Sequence, residues 1–205
     1  MTQTAHPAPE PTIATHATAA VAAASPSDIR VAVSTVIFSL RHDEAGSQLV
    51  IPLVRRTRDP FDGMWALPGG WLDVAENLDA AASRTLAETT GLSPSWLEQL
   101  YAFGAVGRST SRVVSVVYWA LLRAEQVRAQ QAQAALENVE WFLVTELPPL
   151  AFDHTEIVDY ALWRLRNKVG YSRIAHGLLT DRFTLAELRD VYEAILDRRL
   201  DPANF

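Results

Sequence analysis

Two apolar, β-branched runs stand near the start of the chain, Val31–Leu40 (VAVSTVIFSL) and Gln48–Val54 (QLVIPLV). The polar stretch Arg41–Ser47 between them carries Asp43, Glu44 and Gly46, so the pair predicts a β-hairpin. Arg55–Asp62 is polar, with Pro60 and Gly63 as breakers, and predicts a loop. A helix is then expected to run to about Thr90, with Asn77 as N-cap and Gly91 as the glycine that ends it. Leu97–Val106 and Arg112–Leu122 predict two more strands around a loop containing Gly and Ser. Ala124–Leu136 is rich in Ala and Gln and predicts a loop with some helix. Asn138–Val144 predicts a strand that ends before the Glu146–Leu147–Pro148–Pro149 turn. Asp153 with Glu156 predicts a capping box for a helix to about Val169, and Thr184 with Glu187 a second one for a helix to about Leu196. A third C-terminal helix is expected to start near Asp201. Strands interleaved with helices in this mixed order imply an α/β sandwich rather than a doubly wound sheet.

Composition narrows the picture. The 205 residues suit one medium domain with a small appendage, and a hydrophobic content of 49% is ample for a packed core. With no cysteine, disulfides, thiol nucleophiles and cysteine–zinc sites are excluded. The longest apolar runs are too short to cross a bilayer, so no membrane partner is expected. A net charge of −6 excludes nucleic-acid binding by bulk attraction and leaves only a local basic surface for it. Met1–Asp28, rich in Ala, Thr and Pro and with no Lys or Arg, reads as a disordered tail or an over-called start rather than a secretory signal. The protein is accordingly expected in the cytoplasm, and His6 and His16 in that tail support no metal site.

The helical stretch Gly70–Leu92, GWLDVAENLDAAASRTLAETTGL, resembles the Nudix signature G-x5-E-x7-R-E-U-x-E-E-x-G-U, where U is a bulky aliphatic residue. Gly70, Glu76, Arg84, Leu86, Glu88, Gly91 and Leu92 fall on signature positions. Thr85 stands where the acid after the arginine belongs, and Thr89 replaces the second acid of the E-E pair. PFDGMWALPGGWLD, LEQLYAFGAVGR with RVVSVVYWALL, and NVEWFLVTELPPLAFDHTEIV resemble successive parts of the ADP-ribose-type branch, over about Val31–Lys168. The resemblance implies an α-β-α sandwich around a mixed sheet. YSRIAHGLLTDRFTLAELRDVYEAILDRRLDPANF is similar to the start of the winged-helix segment in Nudix-related transcriptional regulators of NAD metabolism. Those proteins bind ADP-ribose on the Nudix domain and DNA through the appended module. The reading divides the chain into a tail (1–28), a Nudix domain (29–169) and a partial winged-helix-like segment (170–205). Ala161–Phe205 sums to roughly +2, a slight basic bias. The chain stops at Phe205, within the first turn of the expected reading helix, so a weak DNA contact is expected from this segment. A homodimer is implied by the resemblance.

In the family the signature glutamates are magnesium ligands and catalytic carboxylates. Magnesium takes hard oxygen ligands, mostly carboxylates and waters, and neutral threonine is a poor substitute. Positions 85 and 89 lie one helical turn apart with 88 adjacent, so this chain offers one acid where three would form a claw. Two readings stand for Glu88: a last Mg2+ ligand and, if the chain is active, its catalytic acid; or the i+4 ion-pair partner of Arg84. The glutamate at the place of Glu76 often pairs with the arginine at the place of Arg84, an architectural contact. Asp73, Glu137 and Glu140 are candidates for a replacement acid.

Ligand contacts are assigned to Arg56, Gly69, Gly70, Arg84 and Arg108. Arg55, Arg56 and Arg58 follow a strand and can clamp a diphosphate through charge-assisted forks, or form a solvated cluster. Arg108 can reach a ribose or phosphate. Gly69 and Gly70 permit close backbone approach to a ligand or serve a tight turn. Trp65, Trp71, Tyr101 and Phe103 read as core before they read as base-stacking groups, and Ser109–Thr110–Ser111 as loop polarity without a nucleophilic partner. His154 and His176 read as satisfied helical histidines. The leading expectation is a hydrolysis-impaired, ligand-sensing regulator that binds ADP-ribose or a similar nucleoside diphosphate derivative. The alternatives are a Mg2+-dependent pyrophosphohydrolase with replacement acids, and an interaction module with no nucleotide.

Overall fold

The computed structural model describes residues 29–44, 46–132 and 136–205. The expected disorder of 1–28 and the two tail histidines fall outside the described residues. The hairpin forms as expected, but its strands run longer: β1 spans Arg30–Asp43 and β2 Gly46–Arg55, in register from Ser39↔Val50 to Asp43↔Gly46. Two short strands had no sequence signal, β3 (Trp65–Ala66) and β4 (Gly69–Trp71). At two and three residues they are too short to show alternation, and their partners on β2 and β1 define them. β5 covers Glu98–Phe103, β6 Val113–Leu121 and β7 Val139–Leu143. The sheet runs β3-β2-β1-β6-β5, with β4 also on β1 and β7 also on β2. β1 and β6 are parallel from Arg30↔Val113 to Phe38↔Leu121, and the other pairs are antiparallel, so the sheet is mixed.

Side-chain alternation along β1 sets the layers. Val33 and Ile37 point to the side covered by α1 (Leu78–Thr90) and α2 (Ala124–Gln131), where they meet Ala81, Ala82, Leu86 and Val127. The Ala/Gln-rich segment is thus a helix along 124–131 rather than mostly loop, because Val127 joins the Ile37–Leu86 cluster. Val36, Phe38 and Leu40 point to the opposite side, beneath α3 (His154–Val169) and α4 (Leu185–Leu196). There they share one core with Ile157, Ala161, Leu165, Val191 and Ile195. The result is the expected α-β-α sandwich. No helix among the described residues is long and apolar enough to cross a membrane.

The helix ends correct two expectations. The Thr184–Glu187 box closes as read, with the Glu187 N–H donating to Thr184 Oγ1 at 3.2 Å and the Thr184 N–H donating to Glu187 Oε2 at 2.6 Å. Asp153 occupies the N-cap of α3, but its side chain caps nothing, because the carboxylate is taken by Arg108. Gly91 ends α1 with φ 70°, a left-handed conformation that glycine adopts freely, and its N–H reaches the Ala87 carbonyl. A 3-10 turn at Ile174–Leu178 leads to α4, which Arg166 ties to α3 through the Ile195 carbonyl at 3.0 Å. Residues 201–205 form a turn, not the expected helix. Asp201 bonds the Ala203 N–H and the Asn204 side chain, as an aspartate in a turn does.

Candidate functional site

The face of β1 under α3 changes character along its length. Val36, Phe38 and Leu40 are buried beneath the helix, whereas Ala32 and Ser34, on the same face, line an open cleft. Ala32 lies between Trp71 of β4 and Ser115 of β6 in the strand pairing, and Ser34 opposite Gly69. Small residues therefore pave the floor of a cleft of about 610 Å³. Arg56, Arg108, Ser109–Ser111, Phe152 and His154 line its walls.

Arg56 is the first residue after β2. Its Nε donates to the Pro60 carbonyl at 2.9 Å and one terminal nitrogen to the Arg58 carbonyl at 3.2 Å. Its guanidinium lies 4.7 Å above the Phe152 ring. Burial lowers the Arg56 pKa from its usual value and Asp62 offsets part of that, but a guanidinium stays charged at neutral pH. Phe152 (φ 57°) and Phe61 (φ 68°) both hold left-handed backbone, unfavourable for non-glycine residues, and their rings meet edge-on at 4.8 Å. Together they shape the wall behind Arg56. Arg55 and Arg58 are exposed, and Arg55 Nε reaches the Gly63 carbonyl at 3.3 Å.

Arg108 is clamped to Asp153 by two bonds of 2.7 and 2.6 Å and donates to Ser115 Oγ at 2.9 Å. These use three of its five N–H groups, and the residue lines the cleft. The sequence pattern assigns its carboxylate partner to a helix cap. No local pattern announces a pair 45 residues apart in sequence. His154 is buried, and its Nδ1 accepts the Leu67 N–H at 2.9 Å, the satisfied histidine that was expected. Burial lowers its pKa to about 4, with Arg108 and Arg56 adding to the shift and Asp153 opposing it. His176 is exposed, on the 3-10 turn, against Phe183.

The signature helix borders this cleft through Thr89. Arg84 makes the contact foreseen with Glu76, at 2.8 and 2.7 Å, and also bonds Glu88 at 3.1 Å and the Trp71 carbonyl at 3.2 Å. The Arg84 bonds pull the Glu76 carboxyl below its usual range. Thr85 is buried, with its hydroxyl on the Ala82 carbonyl at 3.3 Å. A Cβ on Gly70 would meet the Thr85 methyl at 2.8 Å, and one on Gly69 would meet the Val33 carbonyl at 2.3 Å. Both glycines thus permit close packing of β4, on α1 and on β1. Thr89 Oγ1 donates back to the Thr85 carbonyl at 2.6 Å.

The donor set does not fit a magnesium ion. Position 85 is buried and neutral, position 89 is bonded into its own helix, and Glu88 is paired with Arg84. Asp73, Glu137 and Glu140 are exposed, and no group of three or more acidic or histidine side chains suited to a metal occurs among the described residues. Of the aromatics, Trp65 and Phe103 pack against the core as read. Trp71 and Tyr101 are half exposed instead, and Trp71 lines the cleft.

Comparison with known proteins matches residues 29–161 to the NUDIX domain and residues 175–205 to the NrtR DNA-binding winged helix domain. The chain is 37% identical over 163 residues to the ADPR responsive transcriptional repressor NtrR of Acinetobacter baylyi, covering 77% of this chain and 64% of that repressor. It thus spans a little under two thirds of that relative's length. Shewanella oneidensis NrtR in complex with a 27mer DNA superposes with a TM-score of 0.74 at 35% identity, over 85% of this chain and 79% of that one. The NUDIX domain of the same protein, complexed with ADP ribose, gives 0.57 at 33% identity, over 67% of this chain and 89% of that one.

Proposed function

This chain belongs to the NUDIX family, and we propose that it senses ADP-ribose, or a closely similar nucleoside diphosphate derivative, as a transcriptional regulator that turns its ligand over poorly if at all. The state of the metal positions carries the reading. A lined cleft with arginines on its wall is kept, while Thr85, Thr89 and Glu88 are each engaged in contacts within or beside α1. Hydrolysis of a diphosphate needs a metal to neutralise the phosphates and a route to an activated water. Binding needs neither. Arg56 and Arg108 are assigned to the diphosphate, because guanidinium forks match phosphate oxygens. Gly69 and Gly70 are assigned to the backbone beside the ligand, and Arg84 to holding the end of β4 that bears Trp71.

The likeness to an ADP-ribose-responsive repressor and to a DNA-bound relative supports the regulatory half of the reading. In this reading 29–169 is the sensing domain, 170–205 the segment that meets DNA, and the working form a cytoplasmic homodimer. Calorimetry with ADP-ribose, with and without Mg2+, tests it: binding is expected in both conditions with similar affinity. Release of AMP on the order of 1 per second would overturn it in favour of a pyrophosphohydrolase with replacement acids. For DNA, weak and strongly salt-dependent binding is expected of these 205 residues. Nanomolar, sequence-specific binding would contradict that.

A further inference from the structure

We propose that Trp71 is the platform on which the base of the bound nucleotide stacks, with Arg30 holding the ring in place. The inference rests on the ligand-sensing reading and adds where the base lies. Trp71 belongs to β4, and its backbone is fixed twice, by pairing opposite Ala32 and by the Arg84 bond to its carbonyl. Alternation sends the neighbouring Gly70 position towards α1 and Trp71 to the other face, over the cleft. The Arg30 guanidinium lies 3.6 Å from the ring centroid, a cation–π contact that orients the indole and covers part of it. The residue nonetheless remains 46% exposed.

The other aromatic ring of the cleft is already engaged. Phe152 meets Phe61, His154 and the Arg56 guanidinium. Trp71 carries a guanidinium as well, but it is exposed where Phe152 is half-buried, so it is the more open flat surface for a base. Its place across the sheet also fits. Trp71, Ala32 and Ser115 form one row over three adjacent strands, and Ser115 holds Arg108. Two strand spacings separate the ends of that row by about 10 Å, comparable to the length of a nucleoside monophosphate. A base on Trp71 would thus direct its phosphates towards Arg108, over a floor of small side chains.

Calorimetry and tryptophan fluorescence of the full chain with ADP-ribose test the proposal, using Trp71→Ala and Trp71→Phe. Loss of a base–aromatic stack predicts binding about 10- to 100-fold weaker in Trp71→Ala. Trp71→Phe keeps a ring and should retain most of the affinity, while losing much of the fluorescence quenching that ADP-ribose causes in the unchanged protein. Circular dichroism of both variants checks that the fold is kept. Unaltered affinity in Trp71→Ala, or unaltered quenching in Trp71→Phe, would overturn the platform and leave the sensing function standing. Failure of the unchanged protein to bind ADP-ribose would instead overturn the sensing function, and the platform with it.

Discussion

Arg108 and Asp153 are joined by two hydrogen bonds of 2.7 and 2.6 Å at the wall of the cleft, with both side chains largely buried. The pair binds the loop before β6 to the first turn of α3. Asp153→Ala would leave a guanidinium without its counter-charge where water reaches it poorly. Breaking a buried pair from one side costs about 3–5 kcal/mol. Urea denaturation of Asp153→Ala is expected to give a loss in that range, and a loss below about 1 kcal/mol would place the pair with solvent-screened surface bridges instead.

His154 makes the fold sensitive to acid. Its pKa is lowered to about 4 by burial, against about 6.5 in the unfolded chain, so the sign is fixed. Above pH 6.5 both states are neutral and stability is fully present. As the pH falls from 6.5 towards 4 the unfolded chain takes up a proton that the folded one refuses, and about 3 kcal/mol is lost across that window. His154→Gln keeps an acceptor for the Leu67 N–H and does not titrate. The difference in urea midpoints between the two proteins should change between pH 7 and pH 4.5. The Glu76 carboxyl, held down by Arg84, contributes stability that persists above its unfolded pKa and disappears only at lower pH. A constant difference between the two proteins from pH 7 to pH 4.5 would mean that His154 titrates normally.

Much of the frame was legible because it is local. The alternation of Val31–Leu40, the Thr184–Glu187 box and the Glu76–Arg84–Glu88 spacing each act within a strand or a few helical turns. The cleft was not legible in the same way. Arg30 meets Trp71, Arg108 meets Asp153 and Leu67 meets His154 only when segments far apart in sequence come together in the fold. Asp153 departs from the sequence expectation for the same reason: Asp-x-x-Glu satisfies a local capping rule, and a long-range partner with a stronger claim takes the carboxylate. Trp71 read as core because aromatics in strands usually are, but β4 is short and one of its faces is left open to the cleft.

Thr89→Glu combined with Thr85→Glu would return two negative charges to the helix beside Glu88. Mg2+ affinity is expected to rise, and hydrolysis of ADP-ribose to begin or increase. The two sites contribute differently. Thr89 lines the cleft, so a glutamate there can reach ligand and solvent. Thr85 is 2% exposed, so Thr85→Glu alone should lower the melting temperature by desolvating a carboxylate. Calorimetry with Mg2+ and thermal unfolding separate the effects. Unchanged metal affinity and turnover in the double variant would mean that the metal positions have been placed on the wrong residues.

Gly70 and Thr85 can be tested as a contact in their own right. A methyl on Gly70 would stand 2.8 Å from the Thr85 Cγ2, closer than the two atoms can come without a shift of β4 or α1. Overpacking of this kind costs about 1–3 kcal/mol, and Gly70→Ala should show it in urea denaturation. Thr85→Ser removes that methyl and keeps the hydroxyl that donates to the Ala82 carbonyl, so its own cost should be about 1 kcal/mol. If the clash is the cause, Gly70→Ala with Thr85→Ser should be more stable than the sum of the single changes allows, by about 1 kcal/mol. Strict additivity would instead mean that the Thr85 methyl is not what excludes a side chain at position 70. Coupling between the two residues would also tie the replaced acid to the strand carrying Trp71, because Thr85 then helps set how closely α1 approaches β4.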